Sequence, residues 1–126
     1  MPAQRKTILV IHPPASDPAE TRRLLGNMGY IAVTASGQRA ALKALAAVRF
    51  DFIFTSFGAA PPGSARSFVQ ELRLAAPASA VVGIREPGVE AANEAWMGEC
   101  DATIQAPLSA SRVQWALDFE LRYFGS

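Results

Sequence analysis

The chain has 126 residues, of which half are apolar and 18% are charged, and its formal net charge is +1. This length predicts a single domain covering residues 1–126. The nearly balanced charge provides no field of one sign to hold nucleic acid or an anionic membrane. One cysteine and one histidine cannot build an internal disulfide or a tetrahedral zinc site. We therefore expect a cytoplasmic protein that binds neither nucleic acid nor membranes and holds no metal or cofactor.

Short β-rich apolar runs alternate with helix-forming segments, which predicts βαβ units around a parallel sheet. The first, third and fourth runs are apolar almost throughout, as central strands are, whereas the second and fifth are mixed with small or polar residues, as edge strands are. In chain order the predicted strands are Thr7–Ile11, Ile31–Ala35, Asp51–Thr55, Ala80–Ile84 and Ala102–Gln105.

Capping residues and breakers predict five helices between and after these strands. Asp17 and Pro18 mark the start of the first helix, and Glu20 is placed to close a capping box there. This helix ends near Met28, and Gly29 follows it. The other helices are predicted at about 38–47, with Leu42 and Leu45 facing the sheet; 64–75, with Phe68, Val69 and Leu72 buried; 89–97; and 109–123.

Five such units form a three-layer sandwich with a Rossmann or flavodoxin-like strand order, and either order binds ligands beyond the carboxyl ends of the strands. The residues that follow the strands are therefore the candidate site. They include His12-Pro13, Ser36-Gly37, Ser56-Phe57, Arg85-Glu86 and Gln105-Ala106-Pro107.

Four stretches make the chain resemble the receiver domains of two-component response regulators. Lys6 to Ile11 resembles the first receiver strand, and the Gly29-Tyr30 pair follows at the receiver spacing. Residues 50–54 resemble the third receiver strand, and the Ala-Ala-Pro-Pro-Gly sequence at 59–63 resembles the loop that follows it. Residues 98–108, with Asp101, Pro107 and Leu108, resemble the segment around the fifth strand. The resemblance implies a flavodoxin-like (βα)5 fold with strand order 2-1-3-4-5.

The five active positions of a receiver all differ here. The resemblance places the phospho-acceptor aspartate at Ser56 and the Mg²⁺-binding acidic pair at His12 and Pro13. It places the switch Thr or Ser at Arg85 and the conserved lysine at Ala106. Mg²⁺ is normally anchored by carboxylates, and a serine phosphate is a stable ester, so neither metal binding nor labile phosphotransfer is expected. Arg85 could pair with Glu86 or reach across the site, but we expect a solvated loop residue.

Three other chemical interpretations of these loops are weaker. His12 and Ser56 would end adjacent strands, an arrangement that suits the base and nucleophile of a serine hydrolase, but the first glycine of a nucleophile elbow is missing and no acidic partner is identified. Residues 34–38 contain glycine and hydroxyls at a helix start, yet no complete phosphate-loop motif. Cys100 has no neighbouring base that would activate its thiol. We expect a non-enzymatic protein with no catalytic residue.

The last predicted helix has more aromatic residues than one sheet face requires. Val113, Leu117, Leu121 and Phe124 form one apolar stripe, and Trp115, Phe119 and Tyr123 form a second about 160° away at 100° per residue. The second stripe is either covered, together with Trp96, by the sheet edge and the fourth helix, or exposed as an interface. In receivers the face built from the fourth helix, the fifth strand and the fifth helix often mediates dimerisation or partner contact, so the resemblance implies the same surface here.

The sequence thus predicts a phosphorylation-independent pseudo-receiver that acts as a protein-interaction module in signalling or transcriptional control. The partner classes implied by the resemblance are a histidine kinase, a response regulator or a transcription factor, with a homodimer through the last helix as another option. The alternative is a sensor that binds a small ligand or anion in the crevice near His12, Ser56 and Arg85.

Overall fold

The computed structural model describes residues 6–12, 18–56, 62–85, 98–106 and 108–120, without the side chains of residues 56, 62–66, 119 and 120. Its strands form one parallel sheet in the order β2-β1-β3-β4-β5, which confirms the predicted topology. The strands are β1 (Thr7–His12), β2 (Ile31–Ser36), β3 (Phe52–Ser56), β4 (Ala80–Arg85) and β5 (Ala102–Gln105). The apolar strands β1, β3 and β4 are central, as their composition predicts.

Four helices are described, and the predicted helix at 89–97 lies outside the described residues. They are α1 (Ala19–Asn27), α2 (Gly37–Ala47), α3 (Pro62–Ala75) and α4 (Ala110–Trp115), the last continuing as a π-helical segment, Ala116–Glu120. The N-cap of α1 is Pro18, one residue later than predicted, and it makes no side-chain capping hydrogen bond because proline has no polar side chain.

The helices cover both faces of the sheet and make three layers. On one face α1 and α4 pack against alternate strand residues, with Leu25 and Val113 fully buried. On the other face α2 and α3 cover the remaining strand residues through Ala41, Phe68 and Leu72. The stripe predicted for α3 is confirmed, since Phe68, Val69 and Leu72 are all buried, whereas Leu42 and Leu45 of α2 are only partly buried around Ala41.

Gly29 ends α1 as predicted, in the left-handed conformation with φ +94°. The N–H of Tyr30 donates to the carbonyl of Leu25 at 3.0 Å, and the N–H of Gly29 donates to that of Gly26 at 3.1 Å. These two bonds form a Schellman motif, which satisfies carbonyls at the helix end and turns the chain directly into β2.

Asp51 was predicted as the first residue of the third strand, but it lies just before β3 and links it to β1. Its carboxylate accepts a hydrogen bond from the N–H of Thr7 at 2.8 Å, while its own N–H donates to the Thr7 carbonyl at 3.0 Å. The side chain thus extends the ladder between β1 and β3 by one bond at the amino ends of the strands.

Candidate functional site

The carboxyl ends of three central strands bring His12, Ser56 and Arg85 to one edge of the sheet. Ile11 pairs with Thr55, so the next residues, His12 and Ser56, end neighbouring strands. Ser56 pairs with Ile84, the residue before Arg85. The backbone therefore groups three of the four described residues that the receiver resemblance singles out, the fourth being Ala106, while Pro13 lies outside the described residues.

His12 also pairs with Ser36, the last residue of β2. The His12 side chain is half-buried, and Ser36 is exposed at the N-cap of α2 without a side-chain capping bond. Gly37 follows with φ +87°, a left-handed conformation that suits glycine and makes the tight turn from β2 into α2. Residues 34–38 therefore lead from the end of β2 into the first turn of α2.

Arg85 is the last residue of β4, which corrects the expectation of a solvated loop residue. Its side chain is half-buried, and its carbonyl accepts a hydrogen bond from the N–H of Ala106 at 2.9 Å. The pairing of Arg85 with Gln105 continues the parallel ladder by one residue beyond the predicted strand. Arg85 is therefore the last paired residue of β4 and not part of the loop that follows it.

Ala106, at the position of the receiver lysine, contributes packing at this edge. It is partly buried and packs against the cluster that contains Ile84, Ile104 and Val113. The alanine carries no charge that could attract an anion. Among the described residues of the sheet, the positively charged residue nearest to Ser56 is Arg85, which follows the Ser56 partner Ile84.

Magnesium, which receiver domains hold at this edge, does not fit the strand-end residues described here. The last residues of the five strands are His12, Ser36, Ser56, Arg85 and Gln105, and none carries a carboxylate. Within the described residues, no group of three His, Cys, Asp or Glu side chains could hold a metal ion. Mg²⁺ requires hard oxygen ligands anchored by carboxylates, so this donor set is unsuited to it.

Thr55 is a buried polar residue that the sequence did not single out. It is fully buried in β3, between Ile11 and Gly83 of the neighbouring strands. Its Oγ1 makes no hydrogen bond to the described part of the chain. A buried hydroxyl without a partner loses its hydration without compensation, so it lowers stability beside the candidate site.

A second surface lies along β5 and α4, where the sequence predicts an interaction face. Trp115 is 56% exposed, which agrees with an exposed second stripe at this residue. It lines a groove of about 400 Å³ with Thr103, Ile104, Gln105, Ser111 and Arg112. Trp96, Tyr123 and the side chain of Phe119 lie outside the described residues, so their part in this surface stays a prediction.

The start of α4 fixes the position of this surface against the sheet. Ser109 is the N-cap, and its Oγ accepts a hydrogen bond from the N–H of Arg112 at 3.3 Å. The guanidinium of Arg112 donates to the carbonyl of Gln105 at 3.0 Å. The opposite side of the helix buries Val113 and Leu117, as the sequence predicts, so Trp115 is held facing outward.

Cys100 is partly buried just before β5, and its thiol is not activated. Burial, reinforced by the nearby Asp101 carboxylate, raises the pKa of the Cys100 thiol to about 12. Since the thiolate is the nucleophilic form, this agrees with a structural role for Cys100.

Asp101 has a structural role that sequence reasoning missed, although the residue was noted in the receiver-like segment. Its Oδ2 accepts from the N–H of Val81 at 2.8 Å, and its Oδ1 accepts from the guanidinium of Arg73 at 2.9 Å. Asp101 thereby joins the start of β5 to β4 and α3. Only the three-dimensional proximity of these elements reveals this contact.

No protein-family model matches the chain, and no curated protein sequence does. Among solved structures, a two-component response regulator from Clostridium difficile is 18% identical with a TM-score of 0.75, covering 97% of this chain and 100% of that one. The receiver domain of a sensor histidine kinase from Pseudomonas aeruginosa, solved with magnesium in its active site cleft, is 14% identical with a TM-score of 0.75, covering 98% and 100%.

A third structure, described as an adenylate cyclase from Rhodopirellula baltica, is 17% identical with a TM-score of 0.69, covering 94% of this chain and 89% of that one. None of the described helices is both long and apolar enough to cross a membrane. At these identities the likeness concerns the fold. The chain therefore has the flavodoxin-like fold of response regulator receiver domains.

Proposed function

We propose that this chain is a receiver-like signalling domain that works without phosphorylation and without enzymatic activity. The observation that carries the proposal is the donor set at the carboxyl edge, where His12, Ser56 and Arg85 end the central strands and none is a carboxylate. An acyl phosphate requires an aspartate or glutamate acceptor, and an unactivated serine hydroxyl is a weak nucleophile. The fold supplies the framework of a receiver while the chemistry of phosphotransfer is lost.

We further propose that the domain binds a protein partner through the surface formed by β5 and α4. Trp115 supports this because a large aromatic side chain that is more than half exposed is a common anchor of interfaces. The groove also has a polar rim, which Arg112 and Gln105 form beside the apolar side chain of Ile104. The receiver fold favours a cytoplasmic signalling partner, which would be a histidine kinase, a response regulator or a transcription factor.

Affinity capture from the native cells tests both parts of this proposal. Wild-type protein and the Trp115→Ala variant serve as baits, each with and without acetyl phosphate as a small phosphodonor. We expect the same partner with either treatment and its loss with Trp115→Ala. A partner that binds only after phosphodonor treatment would contradict phosphorylation independence, and equal capture by the variant would contradict the proposed surface.

Arg85 favours a second candidate function, the binding of a small anion or metabolite at the carboxyl edge. Arg85 is a half-buried residue at the end of β4, the strand that pairs with β3 at Ser56. A ligand present at 100 times its dissociation constant would add about 2.7 kcal/mol to the free energy of unfolding. Thermal unfolding with panels of nucleotides and metabolites should then show a shift in wild type that Arg85→Met removes, and no shift would favour the interaction module.

A further inference from the structure

Within the described residues, the outer backbone edge of the edge strand β2 is open, and β2 itself has no feature that would block pairing there. It lies at the outside of the sheet and pairs on one side only, residue for residue with β1 from Ile31 to Ser36. Its six residues, IAVTAS, include no charge, no proline and no bulge in that register. Natural edge strands are usually protected by one of these features, and an edge strand that lacks them is a template for another strand.

The direction of the free backbone groups follows from one hydrogen bond. The N–H of Ile31 donates to the carbonyl of Lys6, at the start of β1, at 3.0 Å. Because alternate residues of a strand direct their backbone groups to opposite edges, Val33 bonds toward β1 as well, while Ala32 and Thr34 direct their N–H and C=O groups outward. Within the described residues, the backbones of Ala32 and Thr34 make no hydrogen bond outside the sheet ladder.

The side chains of β2 are also open to a partner. Ile31 is 46% exposed and Val33 is 42% exposed, whereas Ala35, on the same face, is buried. Helix α2 packs on this face with small side chains, such as the fully buried Ala41, and this leaves the two branched residues partly in solvent. Exposed β-branched residues on an open strand provide apolar area that strand addition would bury.

We propose that β2 pairs with β2 of a second copy of this chain, in antiparallel orientation about a two-fold axis at Val33. The antiparallel arrangement is the closed and symmetric one, because directly opposite residues exchange bonds reciprocally, whereas parallel strands bond with a one-residue offset that a two-fold axis cannot make the same for both copies. The axis at Val33 places Ala32 of one copy opposite Thr34 of the other, so that their outward N–H and C=O groups are exchanged in full.

The same geometry makes the side chains self-complementary. Val33 faces Val33 of the second copy as a non-hydrogen-bonded pair, the arrangement in which facing side chains approach most closely, and Ile31 faces Ala35. Since no residue of β2 is charged, no like charges on the strands meet across the axis. A second copy is therefore an occupant whose donors, acceptors and apolar side chains all match those of β2.

Charges on α2 give the dimer a distinguishing salt dependence. Arg39 and Lys43 are exposed on α2, which has no acidic residue. The two-fold axis puts the α2 helices of both copies on one side of the joined sheet, where these cations repel. Salt screens such repulsion, so self-association should become stronger with added salt. An acidic segment of another protein on the same edge would instead bind more weakly as salt is added.

Light scattering of the purified protein over a range of concentrations, at about 0.1 and about 0.5 M NaCl, tests the proposal. We expect the mass to rise with concentration from the 13.4 kDa of one chain towards twice that value, and to rise further at high salt. Val33→Lys should keep the protein at the mass of one chain, because it places two ammonium groups at the axis. The matched control is Val48→Lys, since Val48 is 51% exposed and lies outside β2.

Cysteine cross-linking gives a second measurement that does not depend on charge. In a Cys100→Ala background, Val33→Cys should form a disulfide-linked dimer on mild oxidation, whereas Val48→Cys should not. The amide protons of Ala32 and Thr34 should also exchange more slowly at high protein concentration. A mass of one chain under all conditions would overturn the proposal. So would a dimer that Trp115→Ala abolishes and Val33→Lys leaves intact, because that dimer uses the opposite edge of the sheet.

Discussion

Asp101 and Val81 are joined by two hydrogen bonds that extend the sheet at the amino end of β5. The Asp101 carboxylate accepts from the N–H of Val81 at 2.8 Å, and the Asp101 N–H donates to the Val81 carbonyl at 2.8 Å. Val81 is fully buried, so its N–H has no access to solvent. The carboxylate thus takes the place of a backbone acceptor where β5 has not yet begun.

Removal of this acceptor should destabilise the fold. Asp101→Ala leaves the buried Val81 N–H without a partner, and we expect the free energy of unfolding to fall by about 1–3 kcal/mol. Arg73→Met keeps the Asp101 carboxylate and removes the ion pair with it, together with the hydrogen bond from the guanidinium to the Glu99 carbonyl at 3.1 Å. Because the Arg73 side chain is 44% exposed, this variant should cost at most about 1 kcal/mol. Urea unfolding measures both variants. Equal losses would mean that the ion pair, and not the backbone contact, carries the effect.

Replacement of Thr55 by valine should stabilise the protein. The two side chains have nearly the same shape, and valine removes the buried hydroxyl that makes no hydrogen bond with the described residues. We expect the free energy of unfolding to rise by about 1–2 kcal/mol. Thr55→Ser keeps the hydroxyl, removes a methyl group and should destabilise. A loss of stability in Thr55→Val would show that the hydroxyl has a partner in solution.

The Cys100 thiol should be protected from alkylation in the native state. Burial raises its pKa to about 12, whereas an unperturbed thiol titrates near 9. At pH 8 the native thiolate fraction is then lower by roughly three orders of magnitude, and iodoacetamide labelling should slow accordingly. Mass spectrometry follows the reaction, with urea-unfolded protein as the control. Equal rates in the two states would contradict the assigned environment.

The same raised pKa gives Cys100 a defined effect on stability at alkaline pH. The native state holds the proton more tightly than the unfolded state, so this contribution is complete below the unfolded pKa and is lost as pH rises from about 9 to about 12. Wild type should therefore lose more stability than Cys100→Ala between pH 8 and pH 10, by about 1 kcal/mol. Parallel urea curves at the two pH values measure this difference.

Trp115 and Val113 lie two residues apart on α4 and should respond differently to truncation. Val113 is fully buried, so Val113→Ala should lower the free energy of unfolding by about 1–3 kcal/mol. Trp115 is mostly exposed, and Trp115→Ala should change stability by no more than about 0.5 kcal/mol. Thermal unfolding distinguishes the two. A large loss for Trp115→Ala would assign the indole to the core and remove it from the interaction surface.

Much of the fold follows from local sequence signals. The apolar composition of β1, β3 and β4 identifies them as central strands, and Gly29 marks the end of α1, because burial on both faces and positive φ each restrict the residue type. The π-helical segment at 116–120 could not be read from the sequence, since it has the same kind of residues as an α-helix.

The sequence predicted which residues lie at the candidate site, but it did not predict their burial or their contacts. Parallel strands meet at one edge, so His12 and Ser56 could be grouped from their places in the predicted strands. The half-burial of Arg85 and the role of Asp101 depend on how far β4 extends and on which groups face it from β5 and α3. Such contacts join residues far apart in the chain, and no local pattern records them.

The most direct test of phosphorylation independence is the intact mass of the protein after incubation with acetyl phosphate and Mg²⁺. A receiver domain with its aspartate serves as the positive control in the same buffer. We predict an unchanged mass for this chain, because His12, Ser56 and Arg85 supply neither an acceptor carboxylate nor a magnesium site. A gain of about 80 Da that is lost again at alkaline pH would identify an acyl phosphate and contradict the account.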